Sequence, residues 1–257
     1  MTSAALFGAK ISSLTQDQLI STLVEAPASG GVRLLVTMNL DHVVRLRRDQ
    51  AFRGAYSRAW AVTIDGAPVF AYARARGLGV PERVTGADLV VELARALPTS
   101  RRLFFVVSAP ATGEKLVEIF RARGFPPEAL AFESPDFGFE RDEPRSARLL
   151  SAIRAHRTTD LVFGLGAPKS EVWIDRHRDG LGDLYAYGFG AGLDFLAGAA
   201  SRAPRLVRRL GLEWAWRLGQ DPARLWRRYL VDSWAILPVI VQDLAGRAAH
   251  GKARLED

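Results

Sequence analysis

From residue 33 onward the chain alternates short apolar runs with longer stretches whose apolar positions recur at helical spacing. Arg33 to Met38, Ala59 to Ile64, Leu103 to Val107, Leu130 to Glu133, Leu161 to Phe163 and Leu184 to Tyr187 read as buried strands. Between them the pattern predicts helices. One opens at Asp41-His42-Val43-Val44 with Asn39 or Asp41 as its cap. A second follows Asp65-Gly66 and stops at Gly77, and a third runs from Thr85, with Asp88 three residues on, to about Leu97. Pro110 to Arg123 and Pro144 to His156 follow, then a helix from Ala167-Pro168 to about Asp179. Pro135 to Pro144 reads as a loop whose Glu140-Arg141-Asp142-Glu143 cluster faces solvent. Strands alternating with helices of roughly 10–15 residues mean βαβ units and a mostly parallel, Rossmann-like α/β sheet flanked by helices.

The strand signals stop near Phe195. Pro204 to Leu210, ended by Gly211, and Leu212 to Leu218, ended by Gly219, read as helices, with Asp221-Pro222 starting another. The organisation expected is therefore an α/β domain over 1–198 and a basic, amphipathic helical appendage over 199–257.

In parallel α/β sheets ligands bind beyond the carboxyl ends of the strands. Thr37, Asn39, Asp65, Gly164 to Lys169 and the loop from Gly188 to Asp194 are all placed at that edge. Gly164 and Gly166 permit a tight turn, helix N-terminal N–H groups favour an anion, and Lys169 adds a charge. The loop is not a dinucleotide fingerprint, because Lys169 stands where a third glycine belongs, and it lacks the Gly-Lys-Ser/Thr of a Walker A loop; a plain βα turn is the other reading. Asp65, with room left by Gly66, suits a general base or a helix cap. Asp194 suits capping or a ribose contact. Thr37 and Asn39 offer neutral hydrogen bonds or stabilise turns, and Arg83 is a cation for a leaving diphosphate or an exposed loop residue.

Composition narrows the partners. Of the 257 residues 48% are hydrophobic, enough for a core, and none is cysteine, which removes disulfides, thiol nucleophiles and thiolate metal sites and suits the cytosol. Met1 to Ala9 has no secretory-signal pattern, and the longest stretch without Asp, Glu, Lys or Arg, Leu103 to Gly113, is about half the roughly 20 residues a membrane span needs. No Asp-x-Asp occurs, and His42, His156, His177 and His250 form no paired ligand spacing, so neither a metal nor a cofactor is expected. Residues 201–230 hold eight arginines against Glu213 and Asp221, a net of +6 out of +7 for the chain. Trp214, Trp216 and Trp226 lie among them. Such a block suits an anionic partner: lipid surface, diphosphate or nucleic acid.

Taken together, Thr37-x-Asn39, Asp65-Gly66, the Arg83-Val84-Thr85-Gly86-Ala87-Asp88-Leu89 block, Gly164-Leu165-Gly166-Ala167-Pro168-Lys169, the Gly188 to Gly198 block and Arg202-Ala203-Pro204 through Leu210-Gly211-Leu212-Glu213-Trp214 resemble the WecG/TagA/CpsF family of bacterial glycosyltransferases, from about residue 6 to 235. The resemblance implies an inverting, metal-independent hexosyltransferase. Its donor would be a UDP-sugar and its acceptor an undecaprenyl-diphosphate-linked saccharide, in exopolysaccharide or cell-surface glycan synthesis. The enzyme would be cytoplasmic and peripheral on the inner face of the cell membrane, with no nucleic acid expected and a homo-oligomer left open.

By the same resemblance Asp65 is the base, with Thr37 beside it. The resemblance also assigns Arg83, and the residue reading and matched blocks add Asn39, Thr85, Gly86, Gly164, Gly166, Lys169, Ser170 and Asp194 to the expected substrate-binding set. Arg217, Arg224, Arg227 and Arg228 close over the diphosphate and touch the membrane. Ser170-Glu171 stands where the family usually has Gln-Glu, shortening one sugar contact, and Ser108 replaces a usual glycine. The alternative reading is an RNA-binding protein that uses the Arg/Trp block.

Overall fold

The computed structural model describes residues 3–226 together with Trp234, Ile236, Pro238, Ile240, Val241 and Asp243. Eight strands are formed: β1 (Ser3–Leu6), β2 (Ala9–Ser12), β3 (Arg33–Met38), β4 (Ala61–Ile64), β5 (Leu103–Val106), β6 (Leu130–Glu133), β7 (Asp160–Phe163) and β8 (Tyr185–Gly188). The last six build one parallel sheet in the order β4-β3-β8-β7-β5-β6. β1 and β2 pair as a separate antiparallel hairpin that packs against β4.

Both faces of the sheet are covered, which is why its strands are apolar without alternation. Leu34, Val36, Phe104, Val106, Leu161, Phe163 and Ala186 enter one core, with side chains from helices Leu40–Arg48, Gln50–Ser57, Glu143–Ala155 and Lys169–Arg176. The alternate positions, Leu35, Leu103, Phe105, Val162, Tyr185 and Tyr187, enter the other, with helices Gln16–Glu25, Gly86–Ala96, Pro110–Ala122 and Gly192–Leu196. At the amino end of β7 the buried carboxylate of Asp160 takes two hydrogen bonds from Arg101, at 2.7 and 2.9 Å, and one from Tyr187 at 2.9 Å. Its charge is satisfied, so this end of the sheet is a structural anchor.

All six strand intervals agree with the sequence reading to within two residues. Two helices differ. The helix capped by Asn39 ends at Arg48, and a second, Gln50–Ser57, starts at once because the Asp49 carboxylate accepts the N–H of Phe52 at 2.9 Å. The helix expected from Ala167-Pro168 starts only at Lys169, Pro168 preceding it after a cis peptide bond. Helices Arg205–Arg209, Glu213–Gln220 and Pro222–Trp226 form the described part of the appendage. Among the described residues no helix is long and apolar enough to cross a membrane.

Candidate active site

Because β4, β3, β8 and β7 are adjacent and parallel, their carboxyl ends form one rim. Asp65 follows β4, Asn39 follows β3, Phe189 and Gly190 follow β8, and Gly164 follows β7. The two ends of this row are three strand spacings apart, roughly 14 Å. Close approaches join neighbouring tips. A Cβ on Gly66 would lie 3.3 Å from the Cα of Asn39, and one on Gly86 would lie 3.2 Å from the Thr37 hydroxyl and 3.3 Å from the Phe189 ring. Gly190 and Gly166 meet in the same way, at 3.6 Å.

Asp65 faces a cavity of about 370 Å³ lined by Asn39, Asp41, Arg83, Glu213, Trp214 and Arg217 among others. It does not cap the helix that follows it: Gly66 holds the N-cap position of Ala67–Ala75 without a side-chain bond. Its carboxylate instead accepts the N–H of Gly86, at 3.3 Å, across the chain. Burial pushes its pKa up to about 6, and the Glu213 carboxylate adds to the rise. Arg217, the Gly86 N–H and Arg83 pull the other way and do not cancel it. A carboxylate with that proton affinity beside an open cavity suits general base work near neutral pH.

Arg83 donates to the Asp65 carbonyl and to the Arg208 carbonyl, each at 3.2 Å, tying the strand tip to the appendage. Arg217 pairs with Glu213 at 2.7 Å and lies over the Phe195 ring at 5.0 Å. Asn39 caps Leu40–Arg48 through the N–H of His42, at 3.2 Å, while lining the cavity. Thr37 is buried with its hydroxyl towards Gly86. Thr85 is buried as the N-cap of Gly86–Ala96. Its hydroxyl accepts the Asp88 N–H at 3.0 Å and donates to the Asp88 carboxylate at 2.7 Å.

The glycine loop shares the rim but not this cavity. Gly164, Gly166, Lys169, Ser170 and Asp194 are absent from its lining. The Lys169 ammonium sits 4.1 Å from the ring centre of the exposed Phe137. Ser170 is fully buried, and both its N–H and its hydroxyl turn back to the Gly166 carbonyl at 3.3 Å. Asp194 accepts the Thr112 hydroxyl at 3.3 Å, and its carbonyl accepts the N–H groups of Ala199 and Ala200. Arg224 lies on Pro222–Trp226, and Arg227 and Arg228 lie outside the described residues.

Three carboxyls carry more than their sequence context suggests. Asp88 bridges Arg202 at 2.8 Å and Arg208 at 3.2 Å, clasping the appendage to the α/β domain. Glu213 shares the cavity with Asp65, and in the sequence it shows only as a member of the Leu210 to Trp214 block and by its four-residue spacing to Arg217. Glu171, on Lys169–Arg176, is buried beside Gly188.

The family described as "Glycosyl transferase WecG/TagA/CpsF family" matches residues 4–250. Among known proteins, the chain is 28% identical over 225 residues, 87% of this chain and 84% of the other, to an N-acetylglucosaminyldiphosphoundecaprenol N-acetyl-beta-D-mannosaminyltransferase of Bacillus spizizenii strain W23. Proteins of the same description from Staphylococcus aureus strains MW2 and NCTC 8325 are 24% identical over 193 residues, 75% of this chain and 74% of theirs.

Proposed function

The chain belongs to the WecG/TagA/CpsF family of glycosyltransferases, and we propose that it moves a hexose or N-acetylhexosamine from a UDP-sugar to an undecaprenyl-diphosphate-linked saccharide, with inversion and without a metal. The observation that carries the reading is the Asp65 carboxylate in a cavity whose other charged walls include Arg83 and Arg217. In one displacement the acceptor hydroxyl attacks the anomeric carbon and gives its proton to Asp65, while the bond to the UDP oxygen breaks. The negative charge gathering on the diphosphate is met by guanidinium groups, Arg217 and Arg83 lining the same cavity as Asp65. A donor lying along the rim would point its nucleotide towards the glycine loop, Lys169 and Asp194, and its reacting carbon towards Asp65.

The acceptor follows from the relatives, whose names specify a diphosphoundecaprenol-linked N-acetylglucosamine. Such a substrate keeps its lipid in the bilayer, so the enzyme works as a peripheral protein at the inner membrane face. The appendage offers both parts of an interfacial anchor: arginines, and exposed Leu206, Leu210 and Trp226. No observation favours RNA as the partner, since Arg202, Arg208 and Arg217 turn onto Asp88 and Glu213.

The test is a transfer assay with N-acetylglucosaminyl-diphosphoundecaprenol and a panel of UDP-hexoses and UDP-N-acetylhexosamines, run with and without EDTA. The expected outcome is turnover of one donor class at a rate unchanged by EDTA. Activity abolished by the chelator, or no transfer from any UDP-sugar, would overturn the proposal.

A further inference from the structure

Glu213 is placed unlike an ordinary surface helix residue. Its side chain is 15% exposed, it lines the same cavity as Asp65, and its partner Arg217 is held by the carboxylate on one side and the Phe195 ring on the other. An i,i+4 ion pair on a solvated face contributes only a few tenths of a kcal/mol and has no reason to enclose a second carboxylate. Here three carboxylates, those of Asp41, Asp65 and Glu213, and two guanidiniums, those of Arg83 and Arg217, face one space. Buried Tyr56 lies close enough to feel Glu171 as well as Asp65 and Asp41.

We propose that Glu213 is a positioning residue that holds the Arg217 guanidinium at the mouth of the Asp65 cavity in the free enzyme and yields it to the diphosphate of a bound substrate. The inference rests on the reading of Asp65 as the base and Arg217 as an anion contact. The Glu213 carboxylate stands in for the incoming anion: it satisfies Arg217 while the site is empty, so a cation is ready without collapsing onto Asp65. When the diphosphate takes over the guanidinium, Glu213 loses its counter-charge and its field acts on Asp65 undiminished. A like charge so placed favours the protonated form of the neighbouring carboxyl. Arrival of the anion therefore raises the proton affinity of the base when the acceptor hydroxyl must be deprotonated. Glu213 makes no contact with the reacting atoms in this scheme; it acts through Arg217 and through its charge.

The experiment compares wild type, Glu213→Gln and Glu213→Asp in the transfer assay from pH 5 to 8, with inorganic pyrophosphate as a competing anion and Asp65→Asn as control. The acid limb of the kcat/KM profile reports the base in the free enzyme. Removing the like charge should move that limb to lower pH by roughly half a unit or more in Glu213→Gln. Glu213→Asp, which keeps the charge, should stay close to wild type. Pyrophosphate should inhibit Glu213→Gln several-fold more strongly, because no carboxylate competes for Arg217. An acid limb unmoved by Glu213→Gln, an equal shift in Glu213→Asp, or weaker pyrophosphate inhibition would overturn the inference. If Asp65→Asn is inactive in the same assay, such a failure belongs to Glu213 alone; if Asp65→Asn turns over normally, the base assignment itself has failed.

Discussion

Asp65 and Glu171 are carboxyls whose protons are held well past the usual carboxylate range, and they differ in what surrounds them. Asp65 opens on a cavity and has Arg83 and Arg217 beside it. Glu171 is 1% exposed, with one oxygen 2.9 Å from where a Gly188 Cβ would stand and the other without a hydrogen-bond partner. Burial raises its pKa to about 7, and Asp41 adds to this against the pull of its own N–H and Arg45. The folded state thus holds a proton that the unfolded chain releases near pH 4.5, so the contribution to stability is lost as pH rises through that window to about 7. Glu171→Gln removes the buried charge and should stabilise the protein at pH 8 by at most roughly 3 kcal/mol, the gain vanishing near pH 4. Thermal melts at the two pH values check it; an equal shift at both would mean that ionisation is not the cause. Glu213 escaped the sequence reading for a related reason: a glutamate four residues before an arginine looks like a routine helix pair until the fold turns both towards Asp65.

At the scale of elements, what was legible is what burial writes into the sequence. Strands covered on both faces must be apolar throughout, and Asp65, Asn39 and the glycine loop could be placed at strand tips once those runs were located. The hairpin β1–β2 carries no such signature. Its turn is Phe7-Gly8, with both residues at positive φ (52° and 80°), where an asparagine or aspartate would ordinarily announce the turn. Nor does the sequence reveal that Ser170 folds inward: a side chain this short is absorbed by the Gly166 carbonyl and takes no place at the cavity. The clasp between Asp88 and the two arginines joins segments more than a hundred residues apart, beyond the reach of any local pattern. Burial alone would raise the Asp88 pKa, yet hydrogen bonds from Arg202 and Thr85 and the charges of Arg202 and Arg208 hold it below the usual range. Asp88→Ala should free the first appendage helices from the α/β domain. Hydrogen exchange of Arg205–Arg209 and Glu213–Gln220 is expected to quicken about 5- to 30-fold, for a loss of about 1–2 kcal/mol. Strands β3 and β8 should be unchanged, and unaltered exchange in those helices would show that the clasp does not hold them.

For the whole molecule, the parallel sheet turns four separate strand endings into a single working edge, and the appendage closes one end of it. The concentration of charge in residues 201–230 is less available to a membrane than its sum suggests, because Asp88, outside that block, engages Arg202 and Arg208. In the proposed attachment to a bilayer, Leu206, Leu210 and Trp226, which are 68%, 64% and 51% exposed, would therefore contribute beside the charge of the block. In the proposed mechanism Asp65 is the group that takes the acceptor's proton. The most direct measurement is sugar transfer by Asp65→Asn set beside its affinity for UDP. If Asp65 is that base, transfer falls by at least about a hundredfold, the low end of what general base catalysis contributes, with UDP binding within a few-fold of wild type. Transfer at the wild-type rate by this variant would contradict the assignment.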